Sequence, residues 1–259
     1  MNAPQIFLSR GAAGCRLAVE QHGVAIVVDA LRASVTIATL LAQGVERILV
    51  VARVDDARAL AEITPAALLV GERGGERIPG FHLGNSPLEV LASPCLDGRT
   101  AIFTSSNGAQ RLTGCAGTPY ILVGGMANAS VVAEWTRAHT EQTGRSAVCI
   151  AAGQFPDETF ISPEDEAVGV YLAQRTGLPI AEPSRANFAH WRHELLLQGM
   201  EQIFRQSRHA QRLMEIGYAE DVLYCARPDT VSTLPIVTAP VLLHDRQIGV
   251  EVREINAGC

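Results

Sequence analysis

Residues 24–36, VAIVVDALRASVT, end an apolar run in a carboxylate, Asp29, and follow it within seven residues with Arg32 and the hydroxyls of Ser34 and Thr36. A carboxylate placed where a buried strand gives way to a helix stands at the rim where open α/β sheets take up ligands. A helix starting near Ala33 turns its free N–H groups to the same rim, where they can hold an anion. These residue types suit a cation on Asp29 and an anionic substrate on Arg32, Ser34 and the helix start.

Four later segments gather polar groups where a packed sheet does not need them. GERGGERIPGFHLG at 71–84 supplies Glu72, Arg73 and Arg77 among glycines that let backbone approach a ligand closely, and Asn85, Ser86 and Pro87 complete the loop. TSSNG at 104–108 offers Ser106, Asn107 and the turn residue Gly108, and GGMANAS at 124–130 puts Asn128 after a glycine pair. SPEDE at 162–166 opens a helix with Ser162 as N-cap and Pro163 at the first helical position. Its Glu164 and Asp165 also suit the helix dipole. Taken singly, each segment reads as an ordinary turn or cap. Their recurrence after successive strands points to a site, because parallel strands deliver their C-terminal ends to one rim.

The elements that must position these groups follow from periodicity. Strands are expected at 24–28, 47–51, 67–70, 100–104, 120–123, 147–151 and 222–226, and helices at 33–43, 54–63, 130–142, 163–175, 188–198 and 200–216. Gly44, Gly144, Gly177 and Gly217 follow four of these helices, where a left-handed closing residue is wanted. Continuous apolar strands between helices predict a three-layer α/β/α fold with a mostly parallel, mixed sheet. The alternating tail IGVEVREI at 248–255 is expected as an antiparallel edge strand near the C-terminus. Residues 1–259 read as a single domain, with two lobes divided near 100–130 as the alternative.

Composition excludes several classes. A chain of 259 residues can bury roughly 70–75% of its unfolded surface without a disulfide or metal staple. A net charge of -6 argues against general nucleic-acid binding. All 21 basic residues are arginine, which removes Schiff-base lysine chemistry and the Walker A lysine and suits forked recognition of phosphate, sulfonate or carboxylate. The six cysteines form no C-x-x-C pair and read as free thiols of a cytoplasmic protein. AAGC at 12–15 lacks a signal-peptide core before it, and no apolar stretch approaches the roughly 20 residues that span a bilayer, so no membrane partner is expected.

Other chemistries lack support. His190, His193 and Glu194 have the spacing of a helical metal face but no further ligand nearby, and Cys149 reads as a buried strand residue. Neither G-x-S-x-G nor G-x-G-x-x-G occurs. Leu31 stands where a haloacid-dehalogenase phosphatase needs its second aspartate.

VVDALRASVTIATLLAQG, GERGGERIPGFHLGNSP, TSSNGAQR and SPEDEAVG, in that order, resemble the 2-phosphosulfolactate phosphatases of coenzyme M biosynthesis, and the likeness extends from about Val24 through SRHAQRLMEIGYAEDVLYCA at 207–226. It implies a magnesium-dependent acid phosphatase acting on a small sulfonated phosphoester, (R)-2-phospho-3-sulfolactate, as a homodimer. Three positions depart from the family pattern: His82 replaces an aspartate, Gln110 stands in the place of an arginine, and Ala151 replaces a cysteine.

The resemblance implies Mg²⁺ on Asp29, Glu72 and Asp165, hard oxygen ligands of the kind magnesium prefers. Glu164 is expected to orient or deprotonate the attacking water. Arg32, Ser34, Arg73, Arg77, Asn85, Ser86, Ser106, Asn107, Gly108 and Asn128 are expected to hold the anionic substrate. The alternatives are a phosphatase for another small phosphorylated carboxylic acid, with His82 reshaping the pocket rim, and a non-catalytic protein that binds an anionic metabolite.

Overall fold

Every residue of the run 24–28 is buried, because alternate side chains enter different cores: Val24, Ile26 and Val28 face one, and Ala25 and Val27 another. A strand buried on both faces belongs inside a covered sheet. The computed structural model describes residues 3–255 and contains that sheet, ten mixed strands with helices on both faces, in a three-layer α/β fold.

In chain order the elements begin with β1 (Ile6–Arg10), α1 (Gly11–Gln21), β2 (Val24–Val28), α2 (Ala33–Ala42), β3 (Arg47–Val51) and α3 (Val54–Ile63). Next come β4 (Leu68–Arg73), β5 (Glu76–Arg77), α4 (Pro87–Leu91), β6 (Thr100–Thr104), α5 (Gly108–Gly114), β7 (Tyr120–Val123), α6 (Ala129–Thr143) and β8 (Ala147–Ala151). The chain continues with α7 (Pro163–Thr176), α8 (Arg185–Gln198), α9 (Met200–Gln206), α10 (Arg208–Glu215), α11 (Ala219–Cys225), β9 (Pro235–Leu243) and β10 (Arg246–Glu254).

The sheet order is β1-β8-β2-β7-β9-β10-β3-β6-β4-β5. β1, β8, β2 and β7 run parallel, as do β3, β6 and β4. Between these blocks lies the hairpin β9–β10, antiparallel to its neighbour on each side. Three antiparallel junctions in a row make the two parallel blocks run in opposite directions. In a flat sheet their C-terminal ends would lie at opposite edges.

Twist and curvature bring those ends together. Five strand-to-strand steps separate β2 from β6. At roughly 20–25° per step, the accumulated rotation is roughly 100–125°. Only one residue pair, Leu122–Ile236, joins β7 to β9 in register, so the sheet can bend there. α5 fills the concave side, touching β2, β3 and β10, and its Ala109 and Leu112 share one core with Val27, Val50 and Phe103. The common rim expected of a single parallel sheet is therefore made by two opposed blocks folded toward each other.

Strands 24–28, 47–51, 100–104, 120–123 and 147–151 have their expected bounds, and Gly44, Gly144, Gly177 and Gly217 all have positive φ. Three expectations are corrected. Residues 222–226 are not a strand but mostly belong to α11, where Val222 and Cys225 face the core at helical spacing and Asp221 turns toward Arg32. The helix expected over 200–216 is broken at Ser207, which is extended and caps α10 through its hydroxyl and the Ala210 N–H. The C-terminal strand β10 is antiparallel, yet it lies between β9 and β3 and not at an edge. Among the described residues no helix is long and apolar enough to cross a membrane. Five cysteines are free thiols, and Cys259 lies outside the described residues.

Candidate active site

The ends of the two blocks border a cavity of about 610 Å³. One wall carries Asp29, just past β2, and Glu72, the penultimate residue of β4. Both side chains are buried at the bottom of the polar cleft. Main-chain N–H groups from the following turns fix them. Asp29 Oδ2 accepts from Gly108 N at 2.7 Å, and its Oδ1 accepts a longer bond from Ala33 N at 3.4 Å. Glu72 Oε1 accepts from Ser106 N at 2.6 Å and Oε2 from Gly75 N at 2.8 Å, with Ser106 Oγ also donating to Oε2. Gly108 is required where it stands: a Cβ there would lie 2.8 Å from Asp29 Oδ2 and 2.9 Å from the Ala33 Cβ.

Asp165 sits behind this wall. Its Oδ1 accepts from Ala30 N at 2.8 Å and its Oδ2 from Gly153 N at 3.0 Å, tying the end of β2 to the end of β8. Burial, followed by the charges of Glu164 and Asp29, pushes its carboxyl well above the ordinary range. Burial raises Asp29 too, with Glu72 adding to the rise and His209 and the Gly108 and Ala33 N–H groups opposing it. Glu164 is 1% exposed and does not line the cavity; its Oε1 lies 3.6 Å from Nδ1 of His209, which does. Burial alone would lower the His209 pKa, but Glu164, Asp29 and Glu72 outweigh it and leave the imidazole raised.

The expected substrate-binding residues divide. Arg32, Asn85, Ser106 and Asn107 line the cavity, and the buried Asn85 Oδ1 has no hydrogen-bond partner among the described residues. Arg32 is nevertheless committed elsewhere: it donates to Asp221 Oδ2 and to the Gly75 carbonyl, both at 2.6 Å, and stacks 4.0 Å from the Tyr218 ring centroid. Gly108 acts through its N–H on Asp29. Ser34 accepts from Asp29 N and braces the turn, while Ser86 caps α4 and donates to Asp221. Arg73 donates to the Ala52 carbonyl and Thr104 Oγ1, clasping the ends of β3 and β6 to β4. Arg77 is exposed and donates to the His82 carbonyl. Asn128 is fully buried, its amide spanning the Val123 and Thr233 carbonyls.

His82 is not at the pocket rim. It is exposed, and its Nδ1 accepts from Leu69 N at 2.9 Å, fastening its loop beside β4. Cys149 packs in the core, where burial pushes its thiol up to about 12. No expectation from the sequence covers the opposite wall of the cavity, to which α10 contributes Arg208, His209, Gln211, Arg212 and Glu215 and a loop contributes Gln154, Phe155 and Phe160. A signal was present for the helix: an N-capping serine followed by basic residues at 208, 209 and 212, one turn of a single face.

The model of the 2-phosphosulpholactate phosphatase family matches residues 15–240. A probable 2-phosphosulfolactate phosphatase of Carboxydothermus hydrogenoformans is 36% identical over 214 residues, covering 81% of this chain and 84% of its own. Probable 2-phosphosulfolactate phosphatases of Thermosynechococcus vestitus and Gloeobacter violaceus are 32% and 31% identical, covering 86% and 85% of this chain and 92% and 90% of theirs. With two acidic residues and a basic helix facing each other across one cavity, the chain belongs to the 2-phosphosulfolactate phosphatase family and is a phosphatase, a phosphoric monoester hydrolase.

Proposed function

We propose that this protein hydrolyses (R)-2-phospho-3-sulfolactate to 3-sulfolactate and phosphate, with Mg²⁺ held by Asp29 and Glu72. The observation that carries the reading is the pair of buried carboxylates presented by two strand blocks to one cavity whose other wall is cationic. Among the described residues no group of three or more His, Cys, Asp or Glu is disposed to hold a metal. The donor set instead fits the way magnesium is commonly held, by one or two carboxylates with water and substrate phosphate completing the shell. Asp165 does not line the cavity and ties the ends of β2 and β8 together, so its part is to fix the turn that carries Asp29.

Bound magnesium supplies charge stabilisation at the phosphoryl oxygens. The protein's own residues do the rest. Asp29 and Glu72 arrive already oriented, so little reorganisation is needed when charge develops. Glu164 stands behind Nδ1 of His209 and orients the ring, leaving the other ring nitrogen to exchange a proton with water or the leaving oxygen. Glu164 is thus a positioning residue that acts through His209.

The test is phosphate release by purified protein from 2-phosphosulfolactate, 2-phospholactate and 3-phosphoglycerate, with and without Mg²⁺. The expected result is release that is abolished by chelation and highest kcat/KM for 2-phosphosulfolactate. Full activity in verified metal-free protein removes magnesium from the mechanism. A higher kcat/KM for either carboxylate substrate reassigns the reaction to a different phosphorylated acid.

A further inference from the structure

We infer that Arg208 and Arg212 form the subsite for the acid groups of the substrate, its carboxylate and sulfonate, and so determine which phosphoesters the cavity selects. The inference rests on the proposed phosphatase reading and adds residues and a selectivity to it. Among the described residues three arginines line the cavity: Arg32, Arg208 and Arg212. Arg32 is 1% exposed, its charge is paired with Asp221, and a second donor is held by the Gly75 carbonyl. Arg73 and Arg77, the other arginines near the rim, are held by backbone outside the cavity.

Arg208 has no hydrogen-bond or ion-pair partner among the described residues. Among the described residues Arg212 meets only Glu215, at 3.6 Å, in an exposed pair one helical turn apart. Such pairs contribute little and yield readily to a better partner. The cavity therefore holds two guanidinium forks with unused donors, and that fork matches the paired oxygens of carboxylate and sulfonate. Charge fixes the orientation. A substrate carrying a phosphoryl group and two further acids cannot present all of them to the wall bearing Asp29 and Glu72. Its phosphoryl group goes to the cation held there, and its acids go to α10.

The product 3-sulfolactate isolates the acid groups from the phosphoryl group, and inorganic phosphate does the reverse. Calorimetric titration of both, in saturating Mg²⁺, is therefore compared for wild type, Arg208→Gln, Arg212→Gln and Glu215→Gln. All three substitutions are on exposed side chains, and circular dichroism verifies folding. Each arginine variant is expected to bind 3-sulfolactate about tenfold or more weakly, with a smaller change for inorganic phosphate. Glu215→Gln, which frees Arg212, is expected to bind 3-sulfolactate more tightly. Unchanged 3-sulfolactate affinity in the double arginine variant overturns the inference, as do equal losses for the two ligands or no measurable binding of 3-sulfolactate by wild type. Arginine-dependent 3-sulfolactate binding without phosphate release from any phosphoester would overturn the proposed reaction and support this subsite. Phosphate release with arginine-independent binding would do the opposite.

Discussion

On the acidic side of the cavity each carboxylate oxygen of Asp29, Glu72 and Asp165 accepts a main-chain N–H from a turn that follows a strand. On the basic side Arg208 has no partner among the described residues and Arg212 has one exposed glutamate. The first wall is built before any ligand arrives, and its geometry is a property of the fold. The second is left to be organised by what binds. Fixed acids facing adaptable bases suit a site in which the reacting phosphoryl group must be held closely while the remainder of the substrate is recognised by charge.

The largest expected effect breaks the fixed wall. Asp29→Asn or Glu72→Gln is expected to lower kcat by roughly 10²- to 10³-fold or more, the scale of removing one preorganised electrostatic group. The amide also places a donor where a main-chain N–H now donates. Steady-state phosphate release, with thermal melting to establish that the fold survives, checks this. Near wild-type turnover in either variant removes that residue from the chemistry.

The two walls are linked by a buried ion pair, and breaking it tests whether they form one unit. Arg32, between Asp29 and α2, reaches Asp221 at the start of α11 with side chains 1% and 2% exposed. Asp221→Ala leaves that guanidinium uncompensated and is expected to cost about 3–5 kcal/mol of stability. Replacing both, with Arg32→Met in the Asp221→Ala background, should recover part of the loss, because it removes the stranded charge as well. Urea denaturation of the single and double variants measures the difference, and a double variant no more stable than Asp221→Ala alone would show that the Gly75 and Tyr218 contacts of Arg32 dominate.

How far the sequence discloses these walls follows from the same contrast. Asp29, Glu72 and Ser106 interrupt apolar strands with polar groups and glycines, a local change of pattern that can be read from neighbouring residues. The basic wall is distant in sequence: Arg32 and Asp221 are 189 residues apart, and only the docking of α10 and α11 puts them together. A stretch such as SRHAQRLME has the composition of any solvated helix until that docking is known. The short run VLYCA could be a buried strand or one face of a helix, since five apolar residues do not distinguish a period of 2 from one of 3.6. β10 alternates as a half-exposed strand should, but alternation does not disclose that it is inserted between β9 and β3 to join two opposed blocks. Arg73, Arg77 and Asn128 have the residue types of an anion site but do not line the cavity and donate instead to carbonyls and, for Arg73, the Thr104 hydroxyl, which only the three-dimensional structure reveals.

A smaller effect should appear as pH dependence of stability in metal-free protein. Asp29 and Asp165 have raised pKa values chiefly because of burial, with neighbouring carboxylates adding to the rise, and His209 is raised because three carboxylates outweigh its burial. All three groups bind a proton more strongly folded than unfolded. Stability therefore falls as pH rises through the windows between their unfolded and folded values. Added Mg²⁺ should raise Tm more at neutral pH than at pH 5, because protons compete increasingly with the metal for carboxylate oxygens as pH falls. Equal shifts at both pH values would count against a metal on Asp29 and Glu72.

The smallest effect separates a position that differs from the family pattern from one that touches substrate. The resemblance read from the sequence expects an aspartate where His82 stands, which makes it a natural candidate for altered specificity. Its ring, however, is exposed and faces the Leu69 N–H, and it is absent from the cavity wall. His82→Asp retains an acceptor for that N–H, so the change in stability should stay within about 0.5 kcal/mol, the usual range for a surface substitution. The ratio of kcat/KM for 2-phosphosulfolactate over 2-phospholactate should change by less than about twofold across pH 5.5–8, because that ratio reports differential transition-state binding and His82 contributes none. Gln211→Ala on α10, which lines the cavity, should move the same ratio further than His82→Asp does. A large, pH-dependent shift in His82→Asp would place the loop at 80–84 against the substrate and make specificity a property of the acidic side, reversing the division of labour between the two walls.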